Sequence, residues 1–326
     1  MAMEHGTPIL DSQLVPVENM GESAFVFMGG IGYDEQRNRE VGGAIIGLTG
    51  HRDVLTIPDA EAKGTRKGTA VYRGADGTER ESPTKLPIKT IDGAEIRYTR
   101  LHKERAGKLI ARIESAGSEP VDAVFQSVDV STGLIAMHER PELFRKVVLI
   151  DPSSVIKLPS MRQYLKEEWQ SGNLRDILNR RKDTSGFEKF EAPVSRREKF
   201  KRARLSNRNG NRIASYISSQ APMLHDIAVA QNAPDISIIA SRFDHAYTPQ
   251  RLLQALVSLD DVNSFFITNF RHGLGGKRLR LEQLVSVFNG SEDRSKSFID
   301  RIRFAEGVTD EYRKRIFNII DSRQEK

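Results

Sequence analysis

The chain of 326 residues has no cysteine. That absence excludes disulfides, thiolate metal sites and a cysteine nucleophile, and it fits a reducing compartment. Long apolar runs are also missing: no stretch approaches the roughly 20 apolar residues needed to span a bilayer. The first residues, MAMEHGTPILDSQLVP, lack a basic stretch followed by an apolar one. No secretory signal is expected, and the sequence reads as a soluble, cytoplasmic protein. There is no P-loop and no G-x-G-x-x-G fingerprint. His5, His51, His102, His138, His225, His245 and His272 show no metal-ligand spacing. Neither a metal nor a cofactor is expected. No internal repeat is present.

What is there is ordinary globular material. Hydrophobic residues make up 38% and charged residues 29%, enough apolar content for a sizeable core and too much for global disorder. The net charge of +6 is concentrated. Residues 180–212 hold twelve Lys/Arg against four Asp/Glu, a net +8 that leaves the rest of the chain at −2.

Short, continuous apolar runs occur at Ala24–Met28, Val54–Pro58, Val121–Gln126, Lys146–Ile150, Ile236–Ala240 and Ser264–Thr268. Continuous hydrophobicity rich in β-branched residues is the pattern of parallel strands covered on both faces. Helical periodicity lies between many of them. Lys103–Ala116 places Ala106, Leu109, Ile110 and Ile113 on one face, Thr132–Arg140 follows a strand directly, and Pro249–Ser258 opens on a proline. Strand–helix alternation predicts an α/β fold: a mostly parallel central sheet flanked by helices. Residues 67–100 break the alternation. Their Ala75-Asp76-Gly77 and Asp92-Gly93 turn signals predict a β-hairpin excursion.

Three segments carry candidate chemistry. In PVDAVFQSVDVSTGLIAMHERPELFRKVVLIDP, residues 120–152, a strand ends at Gln126 and Ser127 sits at the turn. A helix follows, Pro141 ends it, and a second strand finishes at Asp151-Pro152. In APDISIIASRFDHAYTPQRL, residues 233–252, Asp244 follows a strand and precedes a Pro-led helix. In SFFITNFRHGLGG, residues 264–276, His272 follows a strand. An early strand also runs into a glycine loop, FVFMGGIGYD, residues 25–34.

Together these segments resemble the α/β-hydrolase superfamily over residues 24–64, 104–152 and 234–288. The resemblance rests on register, because the family's G-x-S-x-G reads Phe125-Gln126-Ser127-Val128-Asp129 here, without either glycine. It implies a serine hydrolase whose triad is Ser127, Asp244 and His272, in the family's chain order. The resemblance gives each group a role: Ser127 attacks a carbonyl, His272 moves the proton, and Asp244 orients the imidazole. Backbone N–H groups of Val128 and of Gly29 or Gly30, with Met28 a further candidate, would hold the oxyanion. Asp129 is an alternative nucleophile and Asp151 an alternative acid. The implied partner is a small-molecule acyl substrate, a carboxylic ester or thioester by default.

The resulting division places an α/β-hydrolase core at 1–151 and 234–290. An inserted helical lid occupies 152–233, and a C-terminal helical extension covers 291–326. The basic run at 180–212, with Phe187, Phe190 and Phe200 interspersed, reads either as the solvated face of the lid or as a surface for an anionic substrate, a membrane surface or nucleic acid. Two other functions stay open. The fold could serve binding through the basic insertion with the chemistry lost, or the same triad could serve an acyltransferase.

Overall fold

A computed structural model describes residues 23–30, 35–57, 67–85, 95–117, 119–156, 220–242, 244, 247–269, 284, 288 and 295–324. The basic run at 180–212 and most of the expected lid lie outside them. So do His272, Asp92 and Gly93.

The apolar runs become strands of one sheet. They are β1 (Phe25–Met28), β2 (Val54–Leu55), β6 (Val121–Gln126), β7 (Phe144–Ile150), β8 (Asp235–Ser241), β9 (Ser264–Thr268) and β10 (Ile302–Phe304). Their order is β10-β9-β8-β7-β6-β1-β2 and every pair is parallel. Parallel strands need crossovers, and helices supply them. α1 (Glu35–Thr49) joins β1 to β2, α2 (Arg100–Ala116) leads into β6, and α3 (Val130–Glu139) joins β6 to β7. α4 (Ala221–Ala228) precedes β8, α5 (Pro249–Ala255) joins β8 to β9, and α6 (Asp310–Gln324) closes the chain.

Successive side chains on a strand face opposite ways, and here both faces are buried. Phe25, Phe27, Val124, Val148, Ile150 and Ile239 pack with Val41 and Ile45 of α1 and with Leu284 and Phe288. Val26, Met28, Ala123, Phe125, Val147, Leu149, Ile236 and Ile238 pack on the other face, against apolar residues of α2, α3, α4, α5 and α6. Neither face needs polar residues, which is why hydrophobicity along these strands is continuous.

α2 shows how the sequence places a helix. It starts after extended Thr99 and ends at Gly117. Its buried residues, Leu101, His102, Arg105, Ala106, Leu109, Ile110 and Ile113, recur at three- and four-residue intervals. That spacing keeps them on one stripe against the sheet. His102 and Arg105 therefore ride into the interior on an otherwise apolar face.

The excursion is a separate three-stranded antiparallel sheet. β3 (Lys67–Arg73) pairs with β4 (Glu79–Lys85) around the Asp76 turn. There Asp76 accepts hydrogen bonds from the backbone and hydroxyl of Thr78. β5 (Glu95–Thr99) returns to the far side of β3, giving the order β4-β3-β5.

Two expectations need correction. The insertion was expected to run from 152 to 233, yet α4 packs against α3 and helps cover the sheet. Residues 221–228 therefore belong to the core. The extension from 291 was expected to be helical, yet it first lays β10 beside β9, with Ile302 opposite Phe265. Only then does α6 form, burying Tyr312, Ile316 and Ile320 at four-residue spacing. A three-residue strand, Ile302–Phe304, is too short for periodicity to reveal. Among the described residues no helix is long and apolar enough to cross a membrane.

The N-terminal edge of the sheet is closed by a paired polar network. Arg145 meets Asp122 in two parallel hydrogen bonds of 3.0 and 2.8 Å. The backbone N–H of Lys146 and the His51 ring also reach Asp122, at 3.1 and 2.9 Å. Burial pushes the Asp122 carboxyl up, but the His51 and Arg145 hydrogen bonds and the Arg145 charge outweigh it and hold the group below the usual carboxylate range. A depressed folded-state pKa stabilises the fold fully above the unfolded value of about 3.9, and that stability is lost as pH falls through the folded value. Asp122→Asn is therefore expected to cost about 1–3 kcal/mol at neutral pH. The difference from the parent protein should shrink as pH drops below about 4. Urea unfolding at a series of pH values checks this, and a difference independent of pH would contradict it.

Candidate functional site

The C-terminal edge is where an open parallel sheet exposes backbone ends and helix N-termini together. At this edge the chain turns sharply after β6. Gln126 is still extended, with φ −117 and ψ 138, and Ser127 then takes φ 57. A short 3-10 turn over Ser127–Asp129 runs into α3. Ser127 and Asp151 are the two non-glycine residues with positive φ among the described residues. Holding such a residue there costs on the order of 1–3 kcal/mol. The turn lifts Ser127 off the strand, at the start of a helix whose dipole favours negative charge.

The glycine loop after β1 lies directly against this turn. Gly30 has φ +81, and a Cβ there would sit 2.8 Å from the Gln126 carbonyl oxygen and 3.0 Å from Ser127 Cβ. Only glycine allows that approach. Two side chains fix the loop: Asn38 accepts from the Gly29 N–H at 2.8 Å, and Asp129 accepts from the Gly30 N–H at 3.1 Å.

The structure also explains how the turn forms without the glycines of the G-x-S-x-G pattern. Phe125 stands where the first would be and is fully buried. Its ring fits because α3 carries Gly133 opposite: a Cβ on Gly133 would lie 2.4 Å from the ring. Asp129 stands where the second would be. Its other oxygen accepts from Arg105 of α2 at 3.0 Å, both side chains being 3% exposed. An ion pair so deeply buried holds together because each charge is matched and hydrogen-bonded.

The candidate acids follow neighbouring strands on the same edge. Asp151, after β7, has φ 45, and its two oxygens accept from the Ser241 N–H at 2.7 Å and the Ser241 hydroxyl at 2.9 Å. Asp244, just beyond β8, is fully buried and accepts from the Tyr247 N–H at 3.1 Å. The structure thus brings Ser127, Asp129, Gly29 and Gly30 together, with Val128 buried beside them. Asp151 and Asp244 lie along the same edge. His272, the expected base, lies outside the described residues.

Arg105, Gly133 and Asn38 were not singled out from the sequence. The signal for Arg105 was present: it precedes Leu109 by four residues, so a charge sat on an apolar helical face. His102 shares that face. Its Nδ1 lies 2.7 Å from the Thr99 hydroxyl. Burial, and then the Arg105 charge, push its pKa down to about 3, so the ring is neutral at physiological pH. Among the described residues no cluster of three His, Asp or Glu is placed to hold a metal ion.

No protein-family model and no curated protein matches the chain. The chain is similar in structure to the putative non-heme bromoperoxidase BpoC from Mycobacterium tuberculosis H37Rv. That match has 15% identity and a TM-score of 0.42, and covers 82% of this chain and 90% of that one. It is also similar to the enol-lactonase from Burkholderia xenovorans LB400, with 14% identity, TM-score 0.40, and 82% and 88% coverage. A lipase-esterase related protein from Clostridium acetobutylicum ATCC 824 matches with 9% identity, TM-score 0.45, and 84% and 96% coverage.

The Phe125–Gly133 contact can be tested directly. Alanine in a helix interior normally gains about 0.5–1 kcal/mol over glycine. Gly133→Ala is instead expected to lose about 1–3 kcal/mol through overpacking against the Phe125 ring. Phe125→Ala alone should cost about 3–5 kcal/mol. The double variant should be less destabilised than the two losses combined, with a coupling of about 0.5–3 kcal/mol in denaturant unfolding. Simple additivity would refute the contact.

Proposed function

We propose that this chain, whose fold is that of the α/β-hydrolases, is a serine hydrolase that cleaves a carboxylic ester or thioester through an acyl-enzyme on Ser127. The single observation that carries the reading is the turn at Ser127. A non-glycine residue is held at φ 57 between a strand end and a helix start, with the Gly30 loop pressed against it. Strain of this kind persists where the surroundings over-determine it, and it serves to present a nucleophile.

The steps follow from these groups. Ser127 Oγ attacks the carbonyl carbon while His272 takes its proton, and the carbonyl oxygen becomes an oxyanion. Collapse expels the alcohol or thiol, which leaves with the proton from His272. Water, deprotonated by the same histidine, then attacks the acyl-enzyme and releases the acid. Asp244 orients the imidazole and stabilises its protonated form. Asp151 is less suited to that task, since Ser241 holds both its oxygens. Asp129 is less suited as nucleophile for the same reason, with Arg105 on one oxygen and Gly30 on the other.

The oxyanion is assigned to the Val128 N–H, at the start of the helix. The Gly29 and Gly30 N–H groups are already accepted by Asn38 and Asp129. These engaged donors favour one competing reading, a fold kept for binding with its chemistry lost, and the following experiment separates the two.

A fluorophosphonate probe is expected to modify Ser127, located by mass spectrometry, with the adduct lost in Ser127→Ala and in His272→Ala. Folded protein that takes up no probe would favour the binding reading. Ser127→Gly should lose labelling yet gain about 1 kcal/mol of stability, because glycine relieves the positive φ. An unfolding midpoint no higher than the parent's would argue against strain at the turn.

A further inference from the structure

The C-terminal edge gathers polar atoms that the fold leaves unused. His102 is in the first turn of α2, which runs antiparallel to the strands and so begins at this edge. Ser131 and Thr132 are in the first turn of α3, immediately after the Ser127 turn. Ser153 and Ser154 follow β7. Gln220 caps the start of α4, which also begins here. All six residues are at most 1% exposed. His102 Nε2, the four hydroxyls and Gln220 Oε1 have no hydrogen-bond partner among the described residues.

Their neighbourhood is established by bonds their other atoms make. The Gln220 backbone N–H donates to the Ser154 carbonyl at 2.8 Å, and its side-chain amide donates to the Arg97 carbonyl at 2.9 Å. Arg97 belongs to β5, which runs through Thr99 into α2 and His102. Arg105, three residues on, bonds Asp129 of the Ser127 turn. α2 packs on α3, and α3 on α4. The six residues thus sit on elements that start or finish at one end of one face of the sheet, the end that carries Ser127.

A buried polar atom with no partner costs about 1–3 kcal/mol, and native proteins carry few. At the N-terminal edge the Asp122 network is paired, and Arg301 Nε is the buried atom there without a partner among the described residues. A concentration of unpaired groups at the opposite edge points to a molecule that completes them. The charges nearby are matched within the protein, Arg105 by Asp129 at 3.0 Å and Arg97 by Glu79 at 3.5 Å, although Arg97 Nη2 has no hydrogen-bond partner among the described residues. His102 is neutral there because burial and Arg105 suppress its protonation. Beside that one guanidinium N–H, the groups are hydroxyl, imidazole and amide, able to donate and accept without net charge.

We infer that His102, Ser131, Thr132, Ser153, Ser154 and Gln220 form the acyl-binding side of the site, and that it takes a short, uncharged, hydrogen-bonding acyl group in preference to an aliphatic chain. The inference rests on the serine-hydrolase reading. A site built to hydrogen-bond its substrate rejects the isostere that lacks the bonding atom, because its own buried groups are then left unpaired.

The test compares p-nitrophenyl 3-methoxypropanoate with p-nitrophenyl pentanoate, which differ by an ether oxygen in place of one methylene. The octanoate is the long-chain arm, each rate is divided by that ester's uncatalysed rate, and Ser127→Ala is the blank. The ether ester is expected to show kcat/KM about tenfold or more above the pentanoate, the factor of about one hydrogen bond. In Thr132→Val and Ser153→Ala that ratio should fall toward one. The ratio is internal to each variant, so a loss of folded fraction cancels. A preference for pentanoate or octanoate in protein whose Ser127 takes up fluorophosphonate overturns the polar pocket and leaves the hydrolase reading standing. No turnover of any ester together with no labelling of Ser127 overturns both.

Discussion

The turn at Ser127 constrains what surrounds it. A residue with a side chain is held at φ 57 where a buried strand becomes a helix, and nothing in its own preferences keeps it there. The neighbours do. Gly30 closes one side, near enough that a Cβ would collide with the Gln126 carbonyl. Asp129 ties the Gly30 N–H to the turn, and Arg105 ties Asp129 to α2. α2 is in turn held to the sheet by Leu109 and Ile113. Strain in one residue is sustained by an ion pair, a glycine and a helix face acting together, the over-determination that such conformations require.

The missing glycines are a matter of packing arithmetic. A strand and the helix that follows it can approach closely when one of the facing residues lacks a side chain. The common solution removes it from the strand. Here the strand keeps Phe125 and the helix gives up its side chain at Gly133. The second site is solved by charge, since Asp129 occupies space and gains two hydrogen-bond donors in return. The same separation can be reached by different sequences, which is why a motif built on one solution passes over this one.

The two ends of the sheet are treated differently. At the N-terminal edge Asp122 gathers Arg145, His51 and the Lys146 N–H. At the C-terminal edge collect the Ser127 turn, the strained Asp151 and six polar groups without a hydrogen-bond partner among the described residues. One edge holds the strands in register; the other keeps stability in reserve where chemistry is proposed. Parallel strands make this division natural, because all their C-terminal ends point the same way.

The six apolar runs read from the sequence all contribute strands to the sheet, because strands covered on both faces are apolar at most positions. The excursion was legible from the Asp76 turn. The position of Ser127 at the strand–helix turn was legible from register, although its motif is absent. By itself, then, the sequence determined which segments form the sheet, their parallel class, and where the turn falls. It did not show β10, whose three residues carry no period, nor that residues 221–228 cover the sheet, because an apolar helix face does not name its partner. Arg105 and Gly133 became meaningful only in three dimensions, 24 residues from Asp129 and opposite Phe125 respectively. Tertiary structure decided those contacts because close packing is set by the distance between surfaces that the chain brings together from far apart. Sequence spacing encodes only what lies along one strand or one helical face.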